Sequence, residues 1–235
     1  MNFEVLLFSG LREIAGKPKL SIPGDEIHTV SDVWAYLCSE FPQVRSFHTS
    51  VIFAVNQEFA SLDTPIEAGD EIAIFPPVSG GEDQHAASCQ ETGNADIFKI
   101  VRTPIKIEDL VNELLCPEDG AVVIFDGVVR DNTLGRKTLH LEYQAYEPMA
   151  LKKMIEIGTE IRRQWSFNRL GIVHRLGRLE IGESSVIIVV TSAHRKIAFQ
   201  ACQYAIDALK KIVPIWKKEF FVDGEVWVEG EFSNP

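Results

Sequence analysis

Residues 55–81 read VNQEFASLDTPIEAGDEIAIFPPVSGG, and this stretch decides how the first third of the chain folds. Asn56-Gln57 and Ala68-Gly69-Asp70 are turn signals, because Asn, Gly and Asp tolerate the backbone angles of a tight reversal. Around them, residues 51–55 and 71–75 have the β-branched and aromatic composition of strands. Upstream, residues 3–8 and 20–22 read as two further strands. Residues 30–41 read as a helix that Thr29 or Ser31 caps and that turns Val33, Trp34 and Leu37 inward. A β-β-α-β-β order in about 80 residues predicts a small mixed sheet wrapped round one helix.

Downstream, Pro76-Pro77 and Gly80-Gly81 end the patterned segment, and residues 82–95, EDQHAASCQETGNA, are small, polar and aperiodic, as a linker is. The chain therefore divides into residues 1–81, a linker of residues 82–95 and residues 96–235. In the last part, residues 121–129, 138–146, 169–176 and 185–191 read as strands and residues 148–165 and 194–213 as long helices. That order predicts an α+β domain in which two helices cover an antiparallel sheet.

With 46% hydrophobic and 24% charged residues in a chain of 235, composition excludes disorder and disulfide-dense miniatures. No apolar run approaches the roughly 18 residues of a membrane span. Glu4 stands where a secretory signal carries basic residues, so a cytoplasmic location without membrane contact is expected. The net charge of -11 is uneven: residues 1–81 hold 4 Lys+Arg against 11 Asp+Glu, whereas residues 96–235 hold 19 against 20. An acidic first domain argues against nucleic acid and suits docking on a basic protein surface. Cys38, Cys89, Cys116 and Cys202 are scattered without zinc-ligand or redox spacing, so no metal and no cofactor are expected, and Cys89 is the thiol expected to be exposed.

The turn at residues 55–57, the Gly69-Asp70-Glu71 turn, the Phe75-Pro76-Pro77-Val78 exit and the double glycine, in that order, resemble the small subunit of molybdopterin synthase, a ubiquitin-like sulfur carrier. GAVVIFDGVVRDN (120–132), VHRLG (173–177), TSAHR (191–195) and ALKKIVPIWKKE (208–219), followed by EVWVEG, resemble the large subunit of the same enzyme. The resemblance implies an N-terminal ubiquitin-like β-grasp domain joined by the linker to a C-terminal α/β hammerhead-type domain. It implies a sulfurtransferase that converts cyclic pyranopterin monophosphate to molybdopterin by inserting two sulfurs as a dithiolene.

In such an enzyme sulfur travels as a thiocarboxylate on the last glycine of the carrier, loaded by an adenylating and sulfurating partner. Gly80 and Gly81 are that tail by resemblance, and lacking Cβ atoms they can thread a narrow channel. The substrate carries a phosphate, which Arg and Lys recognise as fork and point charge. By resemblance Arg130, His194 and Arg195 bind the substrate and Phe125 forms a wall. Lys210 lies beside the reacting glycine as general acid, base or stabiliser of the intermediate, and Lys217 adds charge. Each has a plainer alternative: Lys210-Lys211 and Lys217-Lys218 as solvated cations near a helix end, Arg130 as a strand-end surface residue, and His194-Arg195 as a helix opening. His174 reads as a core histidine bonded to backbone and is left out of the site, and Trp165, Trp216 and Trp227 read as packing.

If residues 194–213 form one straight helix, His194 and Lys210 lie about 24 Å apart along its axis and point about 160° apart. They cannot meet in one pocket of one chain, so a homodimer through the C-terminal domain is expected, with His194 and Arg195 crossing to the neighbour. The sequence departs from the family pattern where Gly81 is followed by Glu82, because an amide carbonyl cannot be adenylated; cleavage after Gly81 is expected. The alternative is a non-catalytic fusion in which the carrier domain permanently occupies its partner's pocket. Ile206 stands where some relatives carry methionine, and Gly230 or Glu231 where an arginine is expected.

Overall fold

The structure is a computed structural model that describes residues 2–24, 27–48, 50–77 and 96–228. The tail glycines Gly80 and Gly81, the linker with Cys89, and Gly230 and Glu231 lie outside the described residues. Contacts divide the chain after Pro77 into two compact units.

The first unit runs β1 (Asn2–Leu7), α1 (Ser9–Ala15), β2 (Lys19–Pro23), α2 (Val30–Glu40), a 3-10 helix (Pro42–Phe47), β3 (Ile52–Val55), β4 (Glu58–Ala60) and β5 (Glu71–Phe75). Its sheet has the order β2-β1-β5-β3-β4, with β1 and β5 parallel and the other pairs antiparallel. Thr29 caps α2 reciprocally with Asp32: the Asp32 amide donates to Thr29 Oγ1 at 3.4 Å and the Thr29 amide to Asp32 Oδ2 at 2.9 Å. Val33, Trp34 and Leu37 of α2 pack on Val5, Leu7, Ile72 and Ile74, and Trp34 meets Phe53 edge to face at 5.8 Å. The two turn signals belong together. Asn56 and Gln57 take left-handed angles (φ 52° and 65°), and the Asn56 side chain donates to Asp70 at 2.8 Å and accepts from the Glu71 amide at 3.0 Å.

The second unit runs β6 (Ile97–Val101), α3 (Ile107–Leu114), β7 (Ala121–Val128), β8 (Asn132–Thr133), β9 (Arg136–Ala145), α4 (Glu147–Gln164), β10 (Arg169–Arg175), β11 (Gly177–Glu180), β12 (Ser184–Ser192), α5 (Arg195–Ile212), β13 (Ile215–Phe221) and β14 (Gly224–Val228). One sheet has the order β6-β10-β12-β7 and the other β11-β9-β13-β14, with β8 on β9. The expectation of one antiparallel sheet under two helices is corrected. β6 joins β10 in parallel, and α3 covers the face opposite α4 and α5. The reason is visible in β12: Val186, Ile188 and Val190 face α4 and α5, while Ile187 and Val189 face α3. A strand apolar on both faces needs a cover on each side, since burying each such side chain is worth about 1.5–3 kcal/mol. Ala198, Ala201 and Ala205 are fully buried and let α5 lie close to β12 and β7. Among the described residues no helix is long and apolar enough to cross a membrane.

Candidate functional site

A pocket of about 210 Å³ lies wholly within the second unit, where the end of the first sheet, the C-terminal turns of α5 and the second sheet meet. Its floor is a cross-strand row in which His174 faces Val186 and Val186 faces Gly127, with Phe125 beside it. A Cβ on Gly127 would stand 2.7 Å from Val186 Cγ1, so only glycine fits that floor. The β12–β7 register shifts between Ser184 and Val186, which makes Ser185 the extra residue of a bulge. The Ser185 hydroxyl turns back and donates to the Gly127 carbonyl oxygen at 2.8 Å.

The walls come from elements distant in sequence. Ile206, Leu209 and Lys210 project from the last turns of α5, Tyr143 from β9, and Lys217 and Glu219 from one face of β13, two residues apart as the strand period requires. Arg130, exposed just after β7, and Thr133 close the rim. Lys217 Nζ lies 3.3 Å from Glu219 Oε1, and Glu219 Oε2 is buried without a hydrogen-bond partner among the described residues. Among the described residues three cations line the cavity against one carboxylate, a balance that favours an anion.

His174 is 4% exposed and stacks edge-on against Tyr143, with ring centroids 5.2 Å apart. Its Nδ1 lies 3.0 Å from the Arg175 carbonyl oxygen, which can only accept, so Nδ1 carries the proton. Burial pushes its pKa down to about 4, which keeps the ring neutral. None of the described thiols is activated. Burial pushes Cys202 up to about 11, burial also raises Cys38, and a hydrogen bond to the Asp119 carboxylate raises Cys116.

Two family models match: the MoaE protein over residues 100–212 and the ThiS family over residues 5–81. The chain is 48% identical over 137 residues to the molybdopterin synthase catalytic subunit of Bacillus subtilis (strain 168), a match covering 58% of this chain and 87% of that protein. It is 51% identical over 131 residues to the catalytic subunit of Staphylococcus carnosus, covering 56% of this chain and 87% of that one. The crystal structure of molybdopterin synthase from Staphylococcus aureus superposes with a TM-score of 0.54 at 49% identity, over 56% of this chain and 96% of that chain. The chain belongs to the molybdopterin synthase catalytic-subunit family. It carries in addition a ThiS-family domain of the β-grasp type, as the N-terminal unit's sheet shows. The Burkholderia ambifaria MoaE protein, at 32% identity and a TM-score of 0.51, covers 59% of this chain and 92% of its own.

Phe125, Arg130, Lys210 and Lys217 line the same pocket. His194, the N-cap residue of α5, and Arg195 are exposed at the far end of that helix and do not line it. The plainer view of Lys217 as a helix-end cation is corrected: it lies on β13, held there by pairing with β9 and β14. Ile206 lines the apolar wall. His174 is buried and bonded to backbone as expected, yet it also lines the pocket from which the sequence excluded it. Ser185 carried no signal of its own, whereas Gly127 lies inside the matched stretch GAVVIFDGVVRDN and Glu219 ends the matched stretch ALKKIVPIWKKE, either of which could have flagged them.

Proposed function

We propose that this chain is a molybdopterin synthase carrying both halves of the enzyme, with the pocket between Lys210 and Lys217 as the place where sulfur is transferred to cyclic pyranopterin monophosphate. The observation that carries this is the co-occurrence, in one polypeptide, of a carrier-family match that ends at residue 81 and a catalytic-family domain whose pocket gathers Arg130, Lys210 and Lys217. The described thiols are held protonated, which supports sulfur arriving on a separate group, the carboxyl end of Gly81.

In each cycle the thiocarboxylate sulfur displaces an oxygen substituent from a side-chain carbon of the substrate, so that a carbon–sulfur bond forms as a carbon–oxygen bond breaks; water then cleaves the acyl–sulfur bond, and Gly81 returns as a carboxylate to be recharged by an adenylating and sulfurating partner. Two cycles complete the dithiolene. Lys210 stabilises charge at the reacting acyl carbon or relays its proton, Lys217 and Arg130 hold the phosphate, and Phe125 bounds the ring. Cleavage after Gly81 frees the carboxylate on which loading depends. A second copy completes the site: α5 carries His194 at its start and Lys210 in its last turn, so the basic pair His194-Arg195 serves a neighbour's pocket.

Intact-mass measurement of protein isolated beside its loading partner tests this. A fragment ending at Gly81, heavier by exchange of one oxygen for sulfur, is expected, together with a dimer in sedimentation. Full-length chain alone, inert toward the pterin, identifies instead a scaffold whose carrier domain blocks the pocket.

A further inference from the structure

The cations of the pocket account for a phosphate but leave the ring of the substrate unread. Lys210, Lys217 and Arg130 can only donate hydrogen bonds, and a pterin ring presents an edge of N–H donors that needs acceptors. Glu219, the carboxylate already lining the pocket, gives Oε1 to Lys217 and keeps Oε2 buried, and a second carboxylate would cancel the positive field that holds the phosphate. Two neutral groups lining the same pocket are committed by their own contacts to accepting. His174 spends its Nδ1 proton on the Arg175 carbonyl, which leaves Nε2 as a bare lone pair. Ser185 spends its hydroxyl proton on the Gly127 carbonyl, which leaves its oxygen able only to accept from a further partner.

The backbone holds both groups in place. His174 and Val186 are direct cross-strand partners, and Ser185, the bulged residue, precedes Val186. The two side chains are 4% and 6% exposed, so an unmatched donor or acceptor there is costly. We infer that His174 Nε2 and Ser185 Oγ form an acceptor edge that binds the N–H groups of the pterin ring and so selects a pterin over other phosphorylated molecules. This rests on the substrate class proposed above. Ring neutrality keeps Nε2 available throughout the neutral pH range.

The test is calorimetric binding of cyclic pyranopterin monophosphate and, separately, of inorganic phosphate to the full chain and to His174→Asn, His174→Gln and Ser185→Ala. Asn keeps a donor where Nδ1–H was and removes the acceptor; Gln restores an acceptor at the Nε2 position. His174→Asn and Ser185→Ala each weaken pterin binding about three- to tenfold, phosphate binding stays constant, and His174→Gln recovers part of the loss. Equal pterin affinity in all variants, or a parallel loss of pterin and phosphate binding, overturns the acceptor edge while leaving the substrate class intact. A wild-type chain that binds phosphate but not the pterin overturns both.

Discussion

Lys217 and Glu219 sit side by side on one face of β13, ammonium to carboxylate at 3.3 Å, with the Lys side chain 22% exposed and the Glu side chain 2%. The asymmetry makes Glu219 the costlier member to strand. Lys217→Met leaves a buried carboxylate uncompensated and should lower stability by about 3 kcal/mol, whereas Glu219→Gln should cost about 1 kcal/mol. Urea denaturation of the two single variants and the double variant checks the order; a double-variant loss equal to the sum of the single losses would show that the pair does not couple.

Lys210 lies on the rim side of α5, half-buried, and makes no part of the main core. Lys210→Ala should abolish dithiolene formation and change stability by less than about 1 kcal/mol, as substitutions outside cores do. Product assay beside thermal unfolding separates the two effects. Retained synthesis in a folded variant removes Lys210 from the chemistry.

His174 gives stability a pH dependence of definite sign. Its folded pKa of about 4 lies below the ordinary 6.5, so the unfolded chain takes up the proton first as pH falls. The contribution is fully present above pH 6.5 and is lost on descending to about pH 4, at about 1.4 kcal/mol per unit and roughly 3 kcal/mol in all. His174→Asn should flatten this part of the unfolding-midpoint curve. An unchanged slope between pH 6.5 and pH 4 would contradict it.

Cys202 is buried and burial pushes its thiol up to about 11, so it holds almost no thiolate at neutral pH. Thiol reagents should modify it only after unfolding, and Cys202→Ala should leave sulfur transfer unchanged. Loss of transfer in a folded Cys202→Ala protein would assign the sulfur to the protein's own cysteine and remove the carrier glycine from the mechanism.

The elements legible in the sequence were those with a strong period or strong punctuation. The 71–75 strand, the capped helix after Thr29 and the long helices α4 and α5 stand close to where their patterns put them. β6, α3 and β13 were not legible for physical reasons. β6 acquires its place only by lying parallel to β10, a partner more than 70 residues away. The segment Ile215–Phe221, IWKKEFF, reads as charged helix-end surface until β9 and β14 pair with it on both sides.

The sequence alone determined the two-part organisation, the acidic first domain, the family likeness and the cations at 130, 210 and 217, because composition, turn residues and motif order are local properties. Only the tertiary structure decided which of those cations share a cavity, that His174 and Ser185 line it while bonded to backbone carbonyls, and that His194 stands at the other end of α5. A pocket is made where strands and a helix remote in sequence converge. Hydrogen-bond commitment and burial, which fix what each side chain can still do, arise only once those neighbours are in place.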